Sequence, residues 1–557
     1  LPPQKINKTL KNNNLIPFFF FCFQFAFAQQ KGPALNTEFD KLLSAQFKPG
    51  ETGATALVAK NGQIIYQKAF GMANLELNIP MKIDNVFRIG SITKQFTSVA
   101  ILQLMEQGKL GLQDEITKFI PDYPTHGHKI TIEHLLTHTS GIQSYTNMKD
   151  FEQRMTLDQK PLEVIDHFKN QPMEFAPGTK WQYNNSGYFL LGYIIEKVSG
   201  KTYPEYVEQQ FFKPLGMSQS LYGSDTKIVK NRAGAYDKDD SLGFVNAPNM
   251  SMSLPYAAGS IQSTVGDLYK WHQALHSYKL VKKENLEMAF KPCKLSDGST
   301  QPYGYGFGFQ NVQGSPTIEH GGGINGFLTH SLHLPKEDVF VAVFSNCNCQ
   351  SPSEVASKLA ALAIGKPYAY QEMKVENLVL ADYTGVYENI KGEQRYISVE
   401  NNQLYSQREG NTKLKIKGFE KDKFFFESMM NTLVFSRDVS GSVEKVTLNG
   451  REDDMVWTKT NKPLPSNSEI SVEETTLATY VGDYELAPNF ILSISKDGNR
   501  LFAQATGQTK NELFASSPTQ FFLKVVDAKV EFLKDETGKV SKLILNQGKK
   551  MEAKRVR

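Results

Sequence analysis

The chain has 557 residues, 40% of them hydrophobic and 22% charged, with 41 Gly, 25 Pro and 4 Cys. That length predicts more than one domain, and the balance excludes a disordered chain, a disulfide scaffold, a collagen and a coiled coil. Lys and Arg number 62 against 58 Asp and Glu; with Lys5, Lys8 and Lys11 in a leader, the remainder is close to neutral and no nucleic-acid partner is expected.

Taken in chain order, residues 1–14 are basic and Asn-rich, and Leu15 to Ala28 is almost wholly apolar, ending in Ala26-Phe27-Ala28. This pattern predicts a secretory signal peptide over 1–28, cleaved to leave Gln29, and hence a secreted or periplasmic protein. The apolar run is too short to span a bilayer and no second long one follows, so the mature chain should have no transmembrane span. Ala54–Lys60 and Gln63–Gln67 flank Asn61-Gly62, a two-residue hairpin signal. Ile92, Phe96, Val99 to Leu102, Leu104 and Met105 then describe a largely buried helix ending at Gly108. Phe327–His333 and Val339–Phe344 read as strands separated by Leu334-Pro335. Strands at both ends with helices between predict an α+β domain over 29–370 whose terminal strands share one sheet.

The rest of the chain is a duplicated unit. Leu380-Ala-Asp-Tyr-Thr-Gly-Val-Tyr387 recurs as Leu477-Ala-Thr-Tyr-Val-Gly-Asp-Tyr484, an offset of 97 residues, and Val443–Asn449 recurs as Val540–Asn546. Both copies alternate with period 2 and carry turn pairs such as Asn401-Asn402 and Asp497-Gly498. Two small antiparallel barrels are therefore predicted, over 371–462 and 463–557, with Asn461–Ser468 as the linker between them.

Three motifs in the first block carry chemistry. Ser91-Ile-Thr-Lys94 places a hydroxyl and an amine three residues apart on one helix face, where a neutral amine could take the serine proton. Ser-x-x-Lys alone is weak, since it also occurs at Ser224, Ser442 and Ser493, but only Ser91 opens a buried helix. Tyr183-Asn184-Asn185 precedes the helix-like Tyr188–Ile195; its phenol could relay a proton and its Asn185 amide could orient Lys94 and a substrate amide. Tyr145-Thr146-Asn147 and Tyr387-Glu388-Asn389 share that pattern as decoys. Glu319-His320-Gly321-Gly322-Gly323 is a strand whose glycines let a substrate backbone come close.

These three motifs, in this order, resemble the active site of the penicillin-recognising serine hydrolases: class C β-lactamases, D,D-carboxypeptidases, D-aminopeptidases and β-lactamase-like esterases. Ile132–Ile142, Pro214–Met217 and Ala258–Thr264 fit the same family, and the match covers about residues 35–365. The resemblance implies an acyl-enzyme on Ser91, with Lys94 and Tyr183 as general base and acid. Asn185, His320, Gly321 and Gly322 would then bind substrate, and the N–H groups of Ser91 and Gly323 would form the oxyanion hole. No cofactor and no metal is implied. His320 stands where dedicated β-lactamases carry a Lys, which points toward D-aminopeptidases and esterases. The barrels, similar to lipocalin-like domains of D-aminopeptidase relatives, point the same way. A hydrolase of D-amino-acid peptides or peptidoglycan fragments is expected, with an esterase, a true β-lactamase or a penicillin-binding sensor as the alternatives.

Without the leader, Cys293, Cys347 and Cys349 leave an odd thiol, and a disulfide from Cys293 to one of the other two is conceivable. His134 and His138 are four apart but straddle a predicted helix end, so a structural cap fits them better than a metal.

Overall fold

A computed structural model describes residues 32–556, apart from 225, 374–376, 453, 466–468, 488–489, 527 and 548. The leader expected over 1–28 and the end of the linker lie outside the described residues. No helix among the described residues is long and apolar enough to cross a membrane.

The catalytic block is built on one antiparallel sheet. In chain order its strands are β1 (Ala54–Lys60), β2 (Gln63–Phe70), β3 (Gly308–Val312), β4 (Ser315–Ile324), β5 (Phe327–Leu334) and β6 (Val339–Ser345). Their spatial order is β3-β4-β5-β6-β1-β2, so β6 pairs with β1 and the terminal strands share the sheet as expected. Asn61 and Gly62 both take positive φ, 51° and 72°, the mirror-image turn that suits a twisted hairpin.

Every residue of β6 is buried because both sheet faces are covered. Val339, Val341 and Val343 pack on α1 (Gly32–Gln46) and a C-terminal helix, Pro352–Ala363, through Phe39, Leu43, Val355 and Leu359. Phe340, Ala342 and Phe344 face the larger cluster that holds α2 (Thr93–Glu106), α3 (Asn185–Ser199) and α4 (Val265–His276). The period-2 split of one strand thus explains a three-layer domain.

Each duplicated unit closes into an eight-stranded antiparallel barrel, from Gly385–Glu388 to Met455–Lys459 and from Gly482–Ala487 to Lys550–Arg555. The repeated Leu-Ala-x-Tyr-x-Gly-x-Tyr phrase is the corner of each: a short helix ends at the first tyrosine and the second begins the barrel. The Tyr387 hydroxyl donates to Tyr383 O at 2.7 Å, and that of Tyr484 to Tyr480 O at 2.8 Å. Cys347 is bonded to Cys349, and Cys293 is free and buried.

The first barrel touches the catalytic block through the turn after Val443–Asn449. There Arg451 Nη2 donates to Glu319 Oε2 at 2.5 Å and Nη1 to Ser353 Oγ at 3.0 Å, while Arg451 O accepts from Asn311 N at 2.8 Å.

Candidate active site

Ser91 lies in a single 3-10 turn, Gly90–Ile92, that leads directly into α2. Gly90 holds φ +52°, and a Cβ there would lie 2.9 Å from Gly323 N. Only glycine lets this turn press against β4, so Ser91 and Gly323 border one gap. Gly322 is constrained as tightly: its Cβ would meet Ile89 O at 2.0 Å and Thr329 Oγ1 at 2.4 Å. β3 pairs with β4 only from Ser315 to Glu319, which leaves the stretch from His320 onward without a paired strand on that side among the described residues.

Lys94, the second residue of α2, is fully buried. Its Nζ donates to Asn185 Oδ1 and to Ala258 O, both at 2.9 Å, and lies 3.0 Å from Ser91 Oγ. The two carbonyl oxygens can only accept. A neutral amine serves them with its two N–H bonds and turns its lone pair to the serine hydroxyl. Burial favours that form, holding the Lys94 ammonium well below the usual lysine range. Tyr183 places its ring 4.8 Å from Nζ. Burial pushes its phenol up, a hydrogen bond with Ser91 pulling partly back, so the phenol keeps its proton.

The loop carrying Tyr183 is fixed by its neighbours. Asn184 caps α3 by accepting from Gly187 N at 2.8 Å. His138, at φ +61°, accepts from Asn184 N at 3.1 Å through Nδ1, and its ring sits 4.4 Å from that of Tyr183. His134 instead accepts from Thr131 N at 3.3 Å in the capping box of Ile132–Leu136. The two histidines are thus structural, as the sequence suggests, but His138 serves the Tyr-x-Asn loop rather than the helix end. The decoy Tyr145-Thr146 also enters the site, because Asn185 Nδ2 donates to Thr146 Oγ1 at 3.2 Å.

His320 is placed differently from its expected role. Its Nδ1 lies 2.6 Å from Gly321 O, which can only accept, so Nδ1 carries the proton and Nε2 accepts from Tyr303 O–H at 2.9 Å. Burial lowers its pKa to about 3. The ring is neutral with both nitrogens engaged inside the protein, leaving none for a substrate carboxylate. Neither Tyr303 nor Arg451, which neutralises the adjacent Glu319, carries a local motif that could have revealed it.

A cavity of about 340 Å³ opens over this arrangement, lined by Ser91, Asn185 and Gly323 together with Met250, Leu254 and Phe151, and none of its lining residues carries a charge. Residues 39–365, more than half of the chain, match the family described as Beta-lactamase. The chain belongs to the beta-lactamase family. It is a serine hydrolase of that fold, followed by two closed barrels. Residues 466–555 match a domain of unknown function, DUF3471. Penicillin-binding protein 4* of Bacillus subtilis is 27% identical over 460 residues, 77% of this chain and 100% of that protein. D-aminopeptidase of Gluconobacter oxydans is 28% identical over 333 residues, 58% of this chain and 61% of its own length. The octameric penicillin-binding protein homologue from Pyrococcus abyssi superposes with a TM-score of 0.54 at 27% identity, covering 76% of this chain and 100% of that one.

Proposed function

We propose that this family member hydrolyses small amides or esters of D-amino acids through an acyl-enzyme on Ser91. The observation that carries the reading is a buried amine, held neutral, 3.0 Å from a serine hydroxyl beside an uncharged cavity. In the first step Ser91 Oγ attacks the carbonyl carbon and its proton passes to Lys94 Nζ. The N–H groups of Ser91 and Gly323 stabilise the oxyanion, an effect of several kcal/mol for such a pair. The protonated phenol of Tyr183 then supplies the proton that the leaving amine or alkoxide needs, and Lys94 returns one to Tyr183. Water repeats the sequence on the ester. Asn185 holds Lys94 and offers its amide to the substrate.

Substrate class follows from what the cavity lacks. With no charged lining residue and His320 turned inward, a free carboxylate finds no cation, which disfavours β-lactams and D,D-carboxypeptidase substrates. Met250, Leu254 and Phe151 suit an apolar side chain. The resemblance to a D-aminopeptidase supports the D configuration. We further infer export, on the leader-like segment; intact mass of the secreted form beginning at Gln29 tests it.

The deciding measurement is hydrolysis of D-phenylalanyl and L-phenylalanyl amides and of matched esters by wild type and Ser91→Ala. Turnover of the D-amide, reduced on the order of 10⁶-fold in Ser91→Ala, is expected. Ester turnover without amide turnover would move the protein to the esterase branch. A persistent Ser91 adduct with a fluorescent penicillin and no turnover would make it a binder instead.

A further inference from the structure

A second cluster of nitrogen bases lies on the same sheet, away from Ser91. His272 and His276 stand one turn apart on α4, and His333 projects from β5. One ring nitrogen of each lies within 4.8 Å of the others, and the ring centroids are 4.2–4.5 Å apart. His272 is 8% and His333 6% exposed. Neither nitrogen of His333 has a hydrogen-bond partner; Asp338 Oδ1, 3.7 Å from Nε2, is too far to be one.

Buried imidazoles without partners are costly to keep. The other two rings pack on aromatic side chains: His272 stacks on Phe340 with centroids 4.3 Å apart, and His276 on Phe290 at 5.5 Å. The nearby cation Lys270 is held off, its Nζ donating to Gly216 O at 2.6 Å and Asp267 Oδ1 at 2.8 Å. Neutral imidazole is the form that binds a metal. A cavity of about 590 Å³, lined by His272, His276 and Asp338, gives an ion a way in and shares no lining residue with the catalytic cavity.

We propose that His272, His276 and His333, with Asp338 at the rim, form a binding site for a divalent first-row transition metal of the Zn²⁺ class. Three imidazoles and a carboxylate suit such an ion, whereas Mg²⁺ and Ca²⁺ require oxygen ligands. At metal–nitrogen distances of about 2.0–2.1 Å, tetrahedral ligands sit about 3.3 Å apart, so the rings need draw together by about 1.5 Å at most. The metal would tie α4 to β5, the strand whose Thr329 hydroxyl donates to Ile89 O at 2.9 Å beside the Ser91 turn. The site is independent of what the enzyme hydrolyses.

Titration of the full chain, without an affinity tag, with Co²⁺ tests the site. One equivalent should produce the ligand-field absorption of a four- or five-coordinate nitrogen site, Zn²⁺ should displace it, and Zn²⁺ but not Mg²⁺ should raise the melting temperature. His276→Gln, at the half-buried member, should weaken Co²⁺ binding at least 10-fold while leaving Ser91-dependent hydrolysis unchanged; Asp338→Asn should weaken it less. No absorption change with stoichiometric Co²⁺, or equal binding by wild type, His276→Gln and His333→Gln, would overturn the proposal.

Discussion

All ten histidines of the chain lie at or before His333, and the two barrels hold none. The catalytic block buries His138, His320 and His330 along with Lys94, whereas the barrels fill their interiors mainly with apolar side chains. The corner tyrosines are polar exceptions that find a partner locally, each bonding a carbonyl four residues back. Arg395, inside the first barrel, donates to Ser406 Oγ at 2.8 Å and lies 4.4 Å from the Trp457 ring. Desolvation in the catalytic block keeps bases neutral, which acyl transfer requires, and the barrels have no such demand. The contrast says where acid should strike.

Acidification is the strongest way to break that contrast. Burial first, and for His330 Arg451 as well, lowers both rings from an ordinary 6.5 to about 3. Between those values the unfolded chain binds protons that the folded one refuses. The stability these rings contribute is therefore complete above about pH 6.5 and is lost as pH falls toward 3. At about 1.4 kcal/mol per pH unit and group, two rings remove on the order of 5 kcal/mol between pH 6.5 and 4.5. Calorimetry should show the catalytic transition falling well ahead of the barrel transitions. Equal falls would mean that buried histidines do not distinguish the regions.

Arg451 is where the two regions meet, and it sharpens the comparison. It is the barrel residue that neutralises a carboxylate of the catalytic block, with the Arg451 and Glu319 side chains only 13% and 7% exposed. Burial pushes the Glu319 carboxyl up and Arg451 opposes it. Arg451→Ala leaves that carboxylate unpaired next to His320, a loss of about 3–5 kcal/mol for a buried pair. The catalytic transition and kcat/KM should both fall. Arg451→Ala in a Glu319→Gln background should lose much less, and the double-mutant cycle measures the coupling. Additive effects would show that the barrel merely leans on the catalytic block.

What could be read in advance followed sequence distance. Ser91 and Lys94 are three residues apart where a turn runs into a helix, Asn185 opens a helix two residues after Tyr183, and the unbroken apolar run Val339–Phe344 reads as a strand. The barrels were legible because repetition exposes a unit whatever its contacts. The inward turn of His320 was not, since it depends on Tyr303 and on a carbonyl whose direction only the folded strand sets. Arg451 reaches Glu319 across 132 residues. His272 and His276 share a visible helical spacing, but His333 joins them from another strand, so the expectation of no metal ligands rested on local spacing alone.

The smallest effect belongs to the corner tyrosines, and it asks whether the barrels are equivalent. Tyr387→Phe and Tyr484→Phe each remove one buried hydroxyl and leave a carbonyl without that donor, a loss of about 1–2 kcal/mol. Each loss should appear in its own barrel's transition. The first barrel also supports Arg451, so Tyr387→Phe should lower kcat/KM slightly at temperatures where its barrel begins to open. Tyr484→Phe should leave kcat/KM unchanged there. Identical behaviour of the two variants would remove the distinction between a barrel that serves the active site and one that does not.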